Sequence, residues 1–142
     1  MQELQIEAKN ENLHEVFAFL LSSLSQYAID KKTLRQVKLC VEEVFENISS
    51  YAYDPKTGMI RITVDCIGGE KPQKVVVTFF DHGKPFDPLS YQTPDLDLDL
   101  EDRPLGGLGI FLVRQKMDDI NYEYRDGENI LMIEKNIGSD DM

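Results

Sequence analysis

Cysteine is scarce in this sequence of 142 residues, which contains only two. Cys40 and Cys66 each lie inside a segment of apolar periodicity, and they show no C-x-x-C spacing. A disulfide framework or a zinc site would need more cysteines at closer spacing. We therefore expect both thiols to be reduced and to belong to the core.

Basic residues are also in deficit, because 15 lysines and arginines stand against 26 acidic residues and the formal net charge is -11. Proteins that bind nucleic acid or anionic lipid draw much of their affinity from clustered lysines and arginines. The charge therefore argues against DNA, RNA and a bare membrane as partners.

Long apolar runs are missing as well. No run approaches the roughly 20 residues that span a bilayer, and the sequence does not begin with the basic and apolar segments of a secretion signal. We expect a cytoplasmic protein. The length and the 42% hydrophobic content fit one folded domain over residues 1–142.

One strand and two helices are predicted in the first third of the chain. Residues 4–8 alternate between apolar and polar, which is typical of a strand with one buried face. Asn12 and Glu15 form a predicted capping box for the first helix. Asp30 is predicted to cap the second helix. The apolar stripe of this second helix consists of Leu34, Val37, Val41, Val44 and Ile48.

Two hairpins are predicted in the remainder of the chain. The first joins residues 60–66 to residues 74–80, and its second strand is so apolar that we expect burial on both faces. The second hairpin joins residues 120–125 to residues 130–135 through the Asp126-Gly127 turn.

A long loop and a third helix separate the hairpins. The loop, residues 81–104, holds four of the six prolines and an acidic run at 95–102. Loops of this length in a compact domain are usually functional or mobile. A glycine turn at 106–109 then opens the third helix. This order of elements predicts an α/β two-layer sandwich, with a mixed, mostly antiparallel sheet covered on one face by three helices.

The second helix carries the first candidate for ligand chemistry, Glu43 and Asn47. Residues four apart lie on the same side of a helix, here roughly 90–135° around from the centre of the apolar stripe at about 100° per residue. An amide oxygen can ligate Mg²⁺, and a carboxylate can accept a proton. A solvated helix face, shared with Glu42 and Glu46, is the alternative.

The second candidate is the segment Asp81-His82-Gly83 at the end of an apolar strand. A carboxylate there can accept a hydrogen bond from an exocyclic amine, and Gly83 would let the backbone approach a flat ligand. An ordinary Asx turn is the alternative. We expect His82 and His14 to be surface residues rather than general bases.

The third candidate is the glycine turn at 106–109, which leads directly into a helix. Unpaired amides and the helix dipole favour a phosphate at such a helix start. Arg103, just upstream, can fold over a phosphate as a cation of a lid, or it can pair with Glu101 or Asp102.

Together the three candidates resemble the ATP-binding boxes of the GHKL superfamily, to which gyrase and the histidine kinases belong. The likeness covers about residues 4–136. Within the superfamily the sequence is most similar to the anti-sigma regulatory factor serine/threonine protein kinases. The segments that carry this likeness are Val41-Glu42-Glu43-x-x-x-Asn47, Tyr51-Ala52-Tyr53, Asp81-x-Gly83-x-x-Phe86-Asp87-Pro88, Gly106-Gly107-Leu108-Gly109-Ile110 and Met117-Asp118.

The resemblance implies a role for each motif. Asn47 would hold Mg²⁺ on the triphosphate, Glu43 would be the catalytic base, and Asp81 would bind the adenine amine. A mobile ATP lid is expected at about 87–105. The residues implied for nucleotide binding are Asn47, Asp81, Gly83, Arg103, Gly107, Leu108 and Gly109.

The resemblance implies an ATP- and Mg²⁺-dependent serine/threonine protein kinase of the anti-sigma type. Such a protein phosphorylates a small STAS-like antagonist and regulates transcription by partner switching. The implied partners are a STAS-type anti-anti-sigma protein, a sigma factor or both. The oligomeric state stays open, with a homodimer as one possibility. Two alternatives stay open: a non-catalytic nucleotide-binding switch that sequesters a sigma factor or another regulator, and an acidic interaction domain with a vestigial pocket.

Overall fold

The computed structural model describes residues 1–53, 56–68, 72–85 and 107–137. The predicted lid and Arg103 lie outside these ranges. The elements, in chain order, are β1 (Gln2–Glu7), a short 3-10 turn (Asn10–Asn12), α1 (Leu13–Leu24), α2 (Lys31–Tyr51), β2 (Met59–Ile67), β3 (Lys74–Asp81), α3 (Gly107–Lys116), β4 (Asp119–Arg125) and β5 (Glu128–Asn136).

The five strands form one sheet in the order β1-β2-β3-β5-β4, and each of the four pairings between them is antiparallel. Both predicted hairpins are present. The helices cover one face, so the predicted two-layer α/β sandwich is confirmed, although the described strands pair only antiparallel where a mixed sheet was expected. One row of paired residues on the inner face runs through Leu4, Ile62, Phe79, Leu131 and Tyr122.

The core lies between this inner face and the helices. The predicted α2 stripe is confirmed, because Val37, Val41 and Val44 are fully buried and Ile48 is nearly so. α1 adds buried side chains at Val16, Leu20 and Leu24, α3 adds Val113, and Met117 is buried directly after the end of α3.

Strand β3 differs from its prediction. Its burial alternates along the strand, with Val75, Val77 and Phe79 buried and the residues between them only half-buried. The prediction of burial on both faces is wrong because the helices lie on one side only. On the other face, charged side chains provide cover instead, as where the Arg61 guanidinium lies 3.7 Å from the centre of the Phe80 ring.

The two predicted helix caps have opposite outcomes. The Asp30 carboxylate accepts a hydrogen bond from the Thr33 amide at 3.1 Å, so this cap is confirmed. The capping box at Asn12 is wrong. The 3-10 turn gives Asn12 a φ of -92° and a ψ of 4° rather than the extended backbone of a cap, and its side chain donates instead to the Glu7 carbonyl at 2.9 Å.

Both cysteines are free thiols, as predicted, although Cys66 is only half-buried. Burial raises the pKa of Cys40 to about 11. Within the described residues, no helix combines the length and apolarity that a bilayer crossing requires.

Candidate functional site

Glu43 and Asn47 lie on the side of α2 that faces α3. Both are half-buried, at the border between core and solvent. The side chain of Cys40 lies on this same side of the helix. The charge of Glu43 raises the pKa of its thiol and the charge of Lys116 lowers it, so both groups are near Cys40. Since Lys116 ends α3 and the two helices pack together, this side of α2 lies at a seam between two helices.

The amide oxygen of Asn47 is the most unusual atom of this seam. Oδ1 is buried and accepts no hydrogen bond from any residue in the described ranges. A buried acceptor without a donor costs about 1–3 kcal/mol. A hard cation such as Mg²⁺ would satisfy this oxygen. Asn47 Oδ1 is therefore a suitable ligand atom for the metal that the resemblance implies.

Glu43 has an environment that suits a proton acceptor. Burial raises the pKa of its carboxyl group, and the negative charges of Glu46 and Glu42 raise it further. A carboxylate whose pKa moves towards neutrality binds a proton more readily than a fully solvated one does. Glu43 is half-buried, as are Glu42 and Glu46 on the same turn of α2, so this helix face is only partly solvated.

Asp81 ends β3 as a buried carboxyl group, 4% exposed. Its Oδ1 accepts hydrogen bonds from the Gly83 amide at 2.9 Å and from Asn129 Nδ2 at 3.0 Å. Burial raises the pKa of Asp81, and these two hydrogen bonds oppose the rise. Because both bonds from described residues end on Oδ1, Oδ2 is left to accept from a ligand.

Gly83 packs directly on the end of α2. A Cβ atom at this position would lie 2.3 Å from the Ala52 carbonyl oxygen, and the next amide, that of Lys84, donates to the same oxygen at 2.8 Å. The Asp81 turn is therefore fixed against α2 five residues beyond Asn47, which is about 7.5 Å along the axis at 1.5 Å per residue. The structure thus brings the first two candidates together on one helix.

Two residues that the sequence reasoning missed hold this turn. Asn129, 5% exposed, donates to the Lys84 carbonyl at 2.9 Å and to Asp81. The Tyr53 hydroxyl accepts from the His82 amide and donates to the Met59 carbonyl, both at 2.7 Å. Asn129 had a detectable signal, since it is a polar residue in phase with the buried side chains of β5.

The remaining predicted residues have separate outcomes. His14 and His82 are exposed, as predicted. Gly107, Leu108 and Gly109 form the first turn of α3, and their contacts with phosphate stay a prediction. Arg103 and the lid lie outside the described residues. Among the residues that the structure describes, no cluster of three His, Cys, Asp or Glu side chains is placed to hold a metal.

Comparison with known proteins adds a family and a fold. The family model of the histidine kinase-like ATPase domain matches residues 6–135. The serine/threonine-protein kinase BtrW of Bordetella bronchiseptica is 32% identical over 96 residues, which are 67% of this chain and 65% of that protein. The serine-protein kinase RsbW of Bacillus cereus is 25% identical over 134 residues, 92% of this chain and 81% of that protein.

Among solved structures, the histidine kinase AdeS of Acinetobacter baumannii superimposes with a TM-score of 0.52 at 15% identity. The match covers 98% of this chain and 69% of that one. At this identity the likeness concerns the fold alone.

Proposed function

Since the chain belongs to the family of histidine kinase-like ATPase domains, we propose that it binds ATP with Mg²⁺ along α2 and transfers the γ-phosphoryl group to a serine or threonine of a partner protein. The observation that carries this proposal is the buried Asn47 Oδ1, which has no donor among the described residues and lies one helical turn from Glu43. Two relatives that bear the names of serine or serine/threonine kinases support the choice of acceptor.

The two parts of the site suit the two ends of the nucleotide. Asp81 Oδ2 would accept from the adenine amine, and the missing side chain of Gly83 lets this turn pack directly against Ala52 at the end of α2. Asn47 would lie towards the triphosphate. Glu43 is nine residues before Ala52, about 13.5 Å along the helix axis, a distance that an extended nucleoside triphosphate can span.

Phosphoryl transfer asks the protein for position and charge more than for covalent chemistry. Bound Mg²⁺ would neutralise charge on the phosphate oxygens, and Asn47 would fix its place through Oδ1. Glu43 would accept the proton of the attacking hydroxyl as the new oxygen–phosphorus bond forms and ADP leaves. The backbone amides that open α3, from Gly107 to Gly109, would face the phosphates.

The proposed partner is a small STAS-type anti-anti-sigma protein, with a sigma factor as the protein released or sequestered in exchange. This proposal extends the resemblance of the motifs to the anti-sigma regulatory factor kinases. A carboxylate base needs only a serine or threonine hydroxyl presented in line with the γ-phosphorus.

The test measures the transfer of radiolabelled phosphate from ATP to STAS-type proteins whose genes lie near the gene for this chain. We expect labelling of one serine or threonine, and a decrease of roughly 10²–10⁴-fold for Glu43→Gln with ATP affinity almost unchanged. Glu15→Gln removes an exposed carboxylate from α1 and serves as the control. We expect its rate of phosphoryl transfer to equal that of the parent. If no protein is labelled, yet ATP and ADP change the affinity for a partner differently, the nucleotide-dependent switch replaces the kinase.

A further inference from the structure

We propose that Asn129 is a positioning residue that makes the candidate site selective for adenine, because its carboxamide fixes both the Asp81 carboxylate and the backbone of the turn that follows. The proposal rests on the proposed function, since it concerns the base-binding end of the same nucleotide site. Asn129 contributes from β5, and no sequence motif had assigned it a role.

The donor side of the carboxamide reaches three acceptors that belong to the described part of the chain. Nδ2 lies 3.0 Å from Asp81 Oδ1, 2.9 Å from the Lys84 carbonyl oxygen and 3.3 Å from the Gly83 carbonyl oxygen. An amide group has two hydrogens, so the shorter contacts take one each and the Gly83 oxygen shares. One side chain thereby ties the end of β3 to the loop that leaves it.

The acceptor side of the carboxamide is also fixed. Asn129 Oδ1 accepts the hydroxyl of Tyr122 from β4. Rotating the amide by half a turn would place an oxygen against three acceptors and leave the phenol without this bond, so one orientation is strongly favoured. The register sets Asn129 directly opposite Asp81, and burial protects these bonds from competition by water.

This arrangement has a consequence for the nucleobase. Adenine offers an exocyclic amine, a donor, where guanine offers a carbonyl oxygen, an acceptor. An ionised carboxylate attracts the first and repels the second, whereas a protonated carboxyl group can donate to guanine. Selectivity therefore depends on keeping the proton off Asp81 and on aiming Oδ2 at the base.

Asn129 acts on both requirements. Burial raises the pKa of Asp81, and the hydrogen bond from Asn129 is the largest influence that lowers it. Among residues 1–53, 56–68, 72–85 and 107–137, the other groups that act on this carboxyl are the Gly83 amide and His82, which lower its pKa, Glu128, which raises it, and the phenol of Tyr53. Removing Asn129 would therefore favour the protonated form and free the carboxyl group to rotate.

The experiment titrates Mg-ADP and Mg-GDP into the full chain by calorimetry between about pH 5 and pH 8. For Asn129→Ala we expect the ratio of ADP to GDP affinity to fall by about tenfold or more, as expected for the loss of a charge-assisted hydrogen bond. We also expect the acid limb of ADP binding to move to higher pH. Asn129→Ser keeps one donor on a shorter side chain, so its ratio should lie between those of the parent and Asn129→Ala.

Tyr53→Phe is the matched control for simple loosening of the turn. It removes the hydrogen bond to the His82 amide but leaves both hydrogen bonds to Asp81 Oδ1 in place. We therefore expect lower stability and weaker binding of both nucleotides, with an ADP to GDP ratio close to the parent's. A structural role for Asn129 would give the same pattern in Asn129→Ala, and that result would overturn the proposal. If Asn129→Ala is too unstable to titrate, a parental ratio in Asn129→Ser would overturn it equally. A parent that binds neither nucleotide would instead refute the proposed function.

Discussion

At the scale of single residues, the fold places carboxyl groups where water is partly excluded. Asp81 is buried, and Glu43 is half-buried near two other acidic side chains. In both cases burial is the main reason that the pKa is raised. When such a group is ionised, its burial lowers the free energy of unfolding of the unliganded protein. A bound donor or cation is attracted to the same charge, so the charge favours ligand binding while it disfavours the unliganded fold.

Asp81→Asn should separate these two effects. The ordinary carboxyl pKa is 3.8, and the folded state holds the proton to higher pH. The contribution of this proton to the free energy of unfolding is therefore fully present below about pH 3.8. It is lost as the pH rises through the raised pKa of the folded state. Because asparagine carries no charge, we expect the variant to unfold in urea at neutral pH with a free energy equal to or above the parent's, and to depend less on pH.

The same variant should bind Mg-ADP at least tenfold more weakly, because a neutral amide replaces the charged acceptor for the adenine amine. Calorimetry measures this affinity. Parental affinity in Asp81→Asn would show that this carboxylate does not contact the base.

The proposed role of Glu43 as the general base can be tested through the pH dependence of the rate of phosphoryl transfer. A base must be deprotonated to act, so the rate should fall as pH decreases through a pKa above the ordinary value of 4.5. In Glu43→Gln this acid limb should vanish from the residual activity. A limb that persists unchanged in the variant would assign it to another group.

At the scale of elements, the contact between the Asp81 turn and the end of α2 decides how the site is assembled. Gly83→Ala would force its Cβ against the Ala52 carbonyl, and the resulting displacement should cost about 1–3 kcal/mol. We expect the nucleotide affinity to fall as well. Unfolding by urea and calorimetry measure the two effects.

Gly127→Asn is the matched control for this change. Gly127 has a φ of +78°, and a Cβ atom at this position would meet no atom of the described residues within 4 Å. Asparagine tolerates this backbone region, so the stability and affinity of the variant should stay close to the parent's. If Gly83→Ala behaves in the same way, the turn is not held against α2 in solution.

The N-terminal cap of α2 tests whether stability and binding are separable. Asp30→Ala removes the hydrogen bond to the Thr33 amide, and we expect the unfolding free energy to fall by about 1 kcal/mol. Nucleotide affinity should stay within twofold of the parent's, because α2 is 21 residues long and Asp30 lies at the opposite end from Ala52. A large loss of affinity would show that the whole helix shifts when its cap is lost.

The sequence predicts these elements well because each has a local signal. Strands alternate, helices repeat their apolar residues every three or four positions, and Asp30 is a strong cap. Two predictions fail, one for a local reason and one because of tertiary packing. The 3-10 turn before α1 redirects Asn12, and the one-sided helix layer leaves Val76 and Phe80 on the less covered face of β3.

At the scale of the whole molecule, the site depends on pairings that sequence spacing does not encode. Asp81 and Asn129 are 48 positions apart and meet only through the register of β3 with β5. The motif residues Glu43, Asn47 and Asp81 could be predicted because their types and spacing resemble a known family. The contacts of Asn129 and Tyr53 with the Asp81 turn could not, because they follow from tertiary packing. Only the phase of Asn129 with the buried residues of β5 marked that residue as unusual.

The measurement that bears most directly on a nucleotide site along α2 is the thermal unfolding of the full chain with ADP or ATP, in the presence and absence of Mg²⁺. A ligand specific for the folded state at a hundredfold excess over its Kd adds about 2.7 kcal/mol of stability. We expect the parent to be stabilised to this degree by nucleotide with Mg²⁺. Asn47→Ala should lose the Mg²⁺-dependent part while its unliganded stability is maintained, because the buried Oδ1 has no donor among the described residues. A parent whose melting temperature does not respond to millimolar Mg-ATP would contradict the assignment of Asn47, Asp81 and Glu43 to one nucleotide site.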